Sequence, residues 1–141
     1  MTGKDEKKEK VAFSTGKRKT AVARARISPG AGIITFNAVP LAKISHDTTR
    51  MLLEEPLMIV GDAWKKFNIR IKTSGGGVLG QAQAARQALA KALADVLGDD
   101  ARKKFMSYDR KMFVYDPRRT EPHKPPRSSQ GPRRYKQRSK R

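Results

Sequence analysis

The sequence predicts an α+β domain followed by a long, extended, basic C-terminal tail. Residues 20–27 and 67–72 show the alternation of apolar and polar side chains that is typical of strands, and residues 79–97 show helical periodicity. The last 25 residues, 117–141, contain ten Lys or Arg, five prolines and one acidic residue. Because only Tyr135 in this tail could enter a core, burial cannot offset the entropy of ordering it.

Length and charge suggest three parts. A chain of 141 residues has room for one domain with appendages. We divide it into a charged leader that we expect to be mobile (residues 1–10), a globular domain (residues 11–108) and an extended tail (residues 109–141). The prolines favour an extended tail of about 3 Å per residue, which gives it a reach of several tens of Å.

The first strands follow from alternation and turn residues. Residues 11–15 form a short strand that we expect Gly16 to end. In the next strand one face consists of Ala21, Ala23, Ala25 and Ile27. The turn sequence Pro29-Gly30-Ala31-Gly32 then predicts a hairpin into a strand at residues 33–37.

Helix signals follow. A helix is expected from an N-cap at Ser45 or Asp47 to Glu54, broken by Pro56. The strongest helix runs from about Leu79 to Leu97 and stops at Gly98, which is expected to cap it in the αL conformation. Its predicted buried stripe is Val78, Leu79, Ala82, Ala85, Leu89, Ala92, Leu93, Val96 and Leu97, and its opposite face is Gln83, Gln87, Lys91 and Asp95. A further short helix opens at Asp99-Asp100, with Phe105 and Tyr108 as anchors.

Arg86 falls inside the predicted apolar stripe, and helix propensity does not explain it. One explanation is that its stem packs while its guanidinium extends to solvent. The other is that this arginine reaches a ligand. The sequence does not distinguish them.

The charge distribution points to a polyanion. The net charge is +19, of which residues 1–10 carry +1 and the domain and the tail carry +9 each. Because domain and tail are both basic, we expect both to face folded RNA, with affinity that falls steeply with salt. A merely solvated basic tail is the alternative, but Arg outnumbers Lys in it, and guanidinium groups bind phosphate bidentately.

One face of the predicted sheet is also basic. Arg24, Arg26, Arg70 and Lys72 occupy the positions that alternate with core residues in their strands. A sheet covered by helices on one face and basic on the other is suited to contact RNA. Ordinary solvated charges on an open antiparallel face are the alternative.

Several other classes of protein are excluded or disfavoured. The absence of cysteine excludes disulfides and cysteine zinc sites. The leader has no apolar stretch behind it, and the run from Leu57 to Val60 is too short to cross a bilayer, so we expect a cytosolic protein without membrane contact. The only histidines, His46 and His123, form no metal site or proton relay, and Glu54-Glu55 diverge on a helix, so an enzyme is not expected.

The glycine segment resembles a nucleotide-binding motif without completing it. Gly75, Gly77 and Gly80 fit Gly-x-Gly-x-x-Gly between a strand and a helix. The ribose-binding carboxylate is missing, because Asp95 lies within the same helix, and Gly80-Gln81-Ala82 cannot close a phosphate loop. We therefore predict no cofactor. Instead the glycines should bring backbone close to a partner, with free helix N–H groups available to an RNA phosphate.

Several segments, in order, resemble the ninth protein of the small ribosomal subunit, the universal S-nine family. They are Gly16-Lys-Arg-Lys-Thr-Ala-Val-Ala-Arg24, Pro29-Gly30-x-Gly32, Asn37, Glu55-Pro56-Leu57 through Val60, Gly75-Gly76-Gly77-x-x-Gly80-Gln81-Ala82-x-Ala84-x-Arg86, Asp116-Pro117-Arg118-Arg119 and Ser139-Lys140-Arg141. The Asp-Pro-Arg-Arg segment followed by Glu121-Pro122 is similar to the archaeal and eukaryotic branch.

The resemblance implies a four-stranded mixed sheet with helices on one face and a left-handed βαβ crossover, contrary to the usual handedness. It also implies a structural role in the head of the small subunit, beside neighbouring head proteins, with a tail that reaches the peptidyl-tRNA site. By motif it assigns Lys17, Arg18, Lys19, Arg24, Arg86, Arg118 and Arg119 to ribosomal RNA, and Lys140 and Arg141 to tRNA phosphates, with Arg138 and Ser139 beside them.

Further rRNA candidates come from the sheet face, the glycine segment and the tail. They are Arg26, Arg70, Lys72, Gly75, Gly76, Gly77, Gln81, Arg110, Lys124, Arg127, Arg133, Arg134, Lys136 and Tyr135, the last as a stacking residue. A free RNA chaperone or DNA-compacting protein is the alternative function. It would share the charge but not the ordered series of segments.

Overall fold

The computed structural model describes residues 11–122, which form one sheet and three helices. The strands are β1 (Ala12–Arg18), β2 (Ala21–Pro29), β3 (Ile34–Phe36), β4 (Val39–Pro40) and β5 (Phe67–Ser74), and the helices are α1 (Asp47–Val60), α2 (Val78–Leu97) and α3 (Asp99–Tyr108). Short 3-10 turns occupy Leu41–Lys43, Gly61–Lys66 and Arg110–Met112. The α+β class is confirmed. The leader and the tail beyond residue 122 lie outside the described residues.

The sheet is mixed and has the order β1-β2-β5-β3-β4. It has five strands in the described residues rather than the predicted four, because the two-residue β4 pairs with β3 at one edge. β5 runs antiparallel to β2 and parallel to β3, and α1 lies in the connection between β3 and β5. The handedness of this crossover stays a prediction.

The predicted hairpin between β2 and β3 is wrong, because β5 lies between them. The loop that leaves β2 is tied to the start of β5 instead. Asn68 Oδ1 accepts hydrogen bonds from the backbone N–H groups of Ala31 (3.0 Å) and Ile33 (3.1 Å). The Gly30 N–H donates to the Lys66 carbonyl at 2.9 Å. The turn residues were identified correctly, but the strand that they serve lies more than thirty residues further along the chain.

The core forms between α2 and one face of the sheet. The predicted alternation is confirmed, because the three alanines of β2 and Ile27 are at most 1% exposed. Small side chains on both layers allow close approach. β1 continues through Gly16 to Arg18, and a Cβ at Gly16 would lie 2.1 Å from the Ala84 carbonyl oxygen. Gly16 therefore does not end the strand as predicted, but lets the helix backbone pack directly against it.

α1 differs from its prediction at both ends. Its N-cap is His46 rather than Ser45 or Asp47, and the imidazole Nδ1 accepts from the Thr49 N–H at 3.4 Å. The helix continues past Pro56 to Val60. Although an internal proline removes a helix hydrogen bond, Pro56 lies on the buried face of α1, and packing there stabilises the helix.

α2 ends at Leu97 as predicted, and the Gly98 N–H donates to the Ala94 carbonyl at 2.9 Å. Gly98 has a φ of 92° but a ψ of −169°, so the predicted αL conformation of this cap is wrong. Its stripe is wrong at the first turn, where Val78 and Leu79 are more than half exposed. Gln87, assigned to the outer face, is buried. In α3 Phe105 is a buried anchor as predicted, whereas Tyr108 is 60% exposed.

The boundary at residue 108 stays a prediction, but the core continues beyond it. Met112 is fully buried, and Phe113 packs against the core. The Gln87 side chain joins this segment to β1, because Oε1 accepts from the Lys17 N–H at 2.9 Å and Nε2 donates to the Phe113 carbonyl at 3.4 Å. The first residues of the predicted tail are therefore packed on the domain and joined to the sheet.

Candidate nucleic-acid interface

Four cations lie together on the face of the sheet that no helix covers. Strand register places Arg24 directly opposite Lys72, and Arg26 directly opposite Arg70. All four side chains are exposed, as predicted, and none forms an ion pair with a described residue. We call this surface the open sheet face; it comprises these four residues and Phe13.

The arrangement of the open sheet face favours a bound anion. Like charges placed directly opposite each other destabilise an antiparallel pair of strands. The five strands of the described chain contain no Asp or Glu that could relieve this repulsion. Phosphate groups would neutralise the cations of β2 and β5, so ligand binding would recover stability that the free protein lacks.

Sequence analysis did not identify Phe13, which lies on β1 opposite Arg26. The ring is 70% exposed, and the Arg26 Cζ lies 5.4 Å from its centroid. An exposed aromatic ring beside guanidinium groups is a surface on which an unpaired base can stack. Its position on the outward-facing parity of β1 was available from the alternation of that strand.

The glycine segment contacts the protein's own backbone. Gly75 and Gly76 have φ values of 73° and 66°, which other residues rarely adopt. A Cβ at Gly75 would lie 2.6 Å from the Thr20 carbonyl oxygen, and one at Gly76 would lie 3.0 Å from the Ala21 Cβ. The close approach predicted for these glycines is therefore to the end of the turn between β1 and β2 and to the first residue of β2. Gly77 faces open space and caps α2 without a side-chain hydrogen bond.

Gln81 holds this segment in place. Its Oε1 accepts from Thr73 Oγ1 at 3.0 Å, and its Nε2 donates to the Gly75 carbonyl at 3.1 Å. Both polar groups of the amide are therefore engaged within the protein. The predicted RNA contact of Gln81 stays untested, but the structure gives this side chain a local role.

Arg86 is bound by two carboxylates, which neither explanation from the sequence included. Its Nη2 and Nε contact the two oxygens of Glu55 at 2.8 and 2.5 Å, and its Nη1 donates to Asp109 Oδ2 at 2.9 Å. The side chain is 14% exposed, so the guanidinium does not extend to solvent. Arg86 therefore has a structural role: it joins α1, α2 and the segment after α3, which accounts for an arginine on this stripe.

The pKa values of Asp109 and Tyr108, which lie beside Arg86 and Glu55, are shifted in accordance with these contacts. Burial raises the pKa of Asp109, but the Lys111 backbone N–H and the Arg86 guanidinium together lower it by more. The pKa therefore lies below its ordinary value. A hydrogen bond to Glu55, together with the charge of that carboxylate, raises the pKa of Tyr108. Asp109 is therefore an ionised partner of Arg86 at neutral pH.

A second cationic surface lies where the tail leaves the domain. Arg18 and Asp116 form an ion pair and an isolated parallel bridge, and Arg118 binds the same carboxylate at 2.6 Å. Hydrogen bonds from Arg118 hold the pKa of Asp116 well below its usual range. Arg119 donates to the Lys19 carbonyl and lies 5.7 Å from the Tyr115 ring centroid.

These contacts shape a recess of about 230 Å³. We call it the tail-base recess; its lining residues are Arg18, Lys19, Arg118, Arg119 and Thr120. Four of the five are cations, and all four were predicted to bind ribosomal RNA. The arrangement suits an anionic group.

The remaining predicted residues are distributed as follows. Lys17 and Arg110 are exposed. The other candidates lie outside the described residues; they are Lys124, Arg127, Arg133, Arg134, Tyr135, Lys136, Arg138, Ser139, Lys140 and Arg141. Within residues 11–122 no group of three or more potential metal ligands is present, and none of the helices there is long and apolar enough to cross a membrane.

Comparison with known proteins identifies the family. Residues 16–141 match the family model described as Ribosomal protein S9/S16. Proteins named small ribosomal subunit protein uS9 from two strains of Methanococcus maripaludis are 44% identical over 131 residues, which is 92% of this chain and 98% of each relative. The protein of that name from Methanococcus vannielii is 42% identical over the same length. These relatives agree with the archaeal character of the tail motif, and the chain therefore belongs to the ribosomal protein S9/S16 family, a family of structural proteins rather than enzymes.

Proposed function

We propose that this protein is a structural constituent of the small ribosomal subunit that binds ribosomal RNA through the open sheet face and the tail-base recess. Family membership supports the ribosomal role and a location on cytoplasmic ribosomes. The observation that carries the RNA contact is that the two cations of β2 lie opposite the two cations of β5. None of the four has an ion-pair partner among the described residues. Phosphate contacts of this kind fix position and carry little sequence information.

The RNA contact of the open sheet face can be tested by removing the two cations that β5 contributes to it. Arg70→Gln together with Lys72→Gln should weaken binding of the full chain to small-subunit rRNA and lower the salt slope of log affinity by about 1.5, since each phosphate contact contributes roughly 0.7–0.9. Affinity is measured at several salt concentrations. The matched control is Lys103→Gln with Lys104→Gln on α3. Equal losses in the two variants would contradict a specific contact at the open sheet face.

The second part of the proposal concerns the end of the tail. The resemblance assigns Lys140 and Arg141, with Arg138 and Ser139 beside them, to phosphates of the tRNA in the peptidyl site. The tail is anchored at its base by the ion pair of Arg18 with Asp116, so its cations start from a fixed point on the domain. Folded RNA provides the fixed negative charge along which such a segment can lie.

Removal of Ser139, Lys140 and Arg141 should leave subunit assembly intact and weaken retention of tRNA in the peptidyl site. Assembly is measured by sedimentation, and retention by the dissociation of labelled tRNA from purified subunits. Removal of three residues from the leader, Thr2 to Lys4, serves as the control. Unchanged tRNA retention would reject the contact, and release of the whole protein at moderate salt would favour a free chaperone.

A further inference from the structure

The helical side of the protein carries a groove that the proposed RNA contacts do not use. We call it the helical groove; it lies along α1 and α3, has a volume of about 510 Å³ and is lined by Met51, Glu54, Glu55, Met58, Ile59 and Tyr108. Met58 is 74% exposed, Met51 64% and Tyr108 60%. Large apolar side chains grouped on a surface in this way mark contacts with other proteins. Met and Tyr are also enriched at the centres of such interfaces.

Met58 lies where two depressions meet. A second one, of about 340 Å³, continues from Met58 past Leu57 towards Trp64. Met58 and Glu54 line both depressions, so the apolar surface is continuous along α1. The unbranched methionine side chain adapts its shape to an incoming group. Met58 is therefore the natural centre of a docking surface.

The charge of the groove is opposite to that of the rest of the protein. Glu54 and Glu55 line it, and no basic side chain of the described residues does. Arg50 contacts both Asp47, at 2.8 Å, and Glu54, at 3.9 Å.

Arg86 likewise contacts both Glu55 and Asp109, so each of the two arginines faces two carboxylates. Lys111 is also close to Asp109, but it lines a separate polar recess with Arg18 and Arg118. A phosphate backbone would be repelled from the helical groove, whereas a cationic side chain would be attracted.

We propose that the helical groove docks a basic polypeptide segment of a neighbouring ribosomal protein, with an apolar side chain of that segment packed on Met58. This inference rests on the proposed place of the chain in the small subunit. The methionines and Tyr108 supply apolar contact area, and the carboxylates bind Lys or Arg of the partner. The protein thus has an RNA face and a protein face on opposite layers of one domain.

Photo-crosslinking in assembled subunits tests this inference. A benzophenone amino acid is placed at position 58, and at position 106 as a control, because Met106 is an exposed methionine of α3 that does not line the groove. A third chain carries it at position 70 on the open sheet face. Position 58 should crosslink to a Lys- and Arg-rich protein segment, with little crosslinking to RNA, and position 70 should crosslink to RNA.

Crosslinks from position 58 to RNA, or none, would overturn the inference. Equal crosslinking to the same protein segment from position 106 would also overturn it. Absence of RNA crosslinks from position 70, with protein crosslinks from position 58 intact, would contradict the proposed RNA contact and leave the groove standing.

Charge substitution at Met58 gives a second test, with the crosslinker moved to position 51. Met58→Lys should lower the yield of the protein crosslink by about tenfold or more, and Met58→Glu should lower it less, because only the lysine repels a basic segment. Thermal unfolding of both variants checks that the exposed position tolerates the change. A smaller fall with lysine than with glutamate, or a gain of RNA crosslinks with lysine, would overturn the inference.

Discussion

The open sheet face and the helical side treat charged residues in opposite ways. On the sheet, four cations lie opposite one another and have no carboxylate partner among the described residues. On the helical side, Arg86 contacts two carboxylates and is 14% exposed. Because a cation that two carboxylates already neutralise gains little from a phosphate, Arg86 serves to hold the fold, whereas the four cations of the open sheet face are available to a ligand.

The two regions also share one structural layer. α2 packs on β1 and β2 through alanines and Gly16, and it carries Arg86 towards α1 and the segment after α3. The position of each face therefore depends on the distance between the sheet and α2. Three predictions separate the shared layer from the two faces.

The largest effect is expected where the layers touch. In Gly16→Ala the new Cβ would meet backbone atoms of α2, at 2.1 Å from the Ala84 oxygen and 2.7 Å from the Ala88 nitrogen. Backbone cannot move aside easily, so we expect a loss of about 3 kcal/mol in the free energy of unfolding, measured with urea. The control Gly77→Ala, where nothing lies within 4 Å, should change stability by about 0.5 kcal/mol or less. Similar values for both would refute direct packing at Gly16.

The second prediction compares an arginine from each region. Arg86→Met leaves Glu55 and Asp109 without their shared cation and should cost about 2 kcal/mol of unfolding free energy, measured by urea denaturation. Arg70→Met relieves a like-charge pair and should leave stability unchanged or raise it by a few tenths of a kcal/mol. The order should reverse for rRNA affinity, where only Arg70→Met is expected to weaken binding strongly. A comparable stability loss in both variants would remove the distinction between the faces.

The smallest effect concerns acid stability on the helical side. Because the pKa of Asp109 is lowered in the folded state, its ionised form stabilises the fold. This contribution is complete above the ordinary value of 3.8 and is lost as the pH falls through the lowered folded-state pKa. Asp109→Asn should therefore cost about 1 kcal/mol at pH 7, and the difference from the unaltered protein should shrink under acid conditions. The stability difference is measured from urea unfolding midpoints of both proteins at several pH values, with Asp62→Asn, at an exposed position, as the control.

Much of the candidate interface could be predicted from local pattern. Alternation in β2 and β5 placed Arg24, Arg26, Arg70 and Lys72 on the outward face, because successive side chains of a strand point to opposite sides. It did not show that the two strands are neighbours or that their cations are directly opposite. That register depends on residues more than forty positions apart, which no local period encodes.

The role of individual polar residues could be predicted less well. Arg86 was assigned to RNA from the resemblance and Gln81 from its place in the glycine segment, and both assignments stay predictions. Neither assignment included the contacts that the polar groups of these side chains make within the protein. The contacts of Arg86 come from α1 and from the segment after α3, on either side of α2 in sequence. Phe13 was not predicted as a site residue, because an aromatic side chain in a strand usually packs in the core, whereas this one is exposed.

The sequence by itself determined the α+β class, the long helix with its glycine cap, the outward parity of the basic strands and the family. These features depend on periodicity, turn chemistry and charge, which are local or additive along the chain. The tertiary structure alone decided that β5 separates β2 from β3, that α1 continues through Pro56, and that the glycine segment packs on Thr20 and Ala21. Each depends on which distant surfaces bury one another, because burial and backbone pairing outweigh the local preferences of a turn or a single proline.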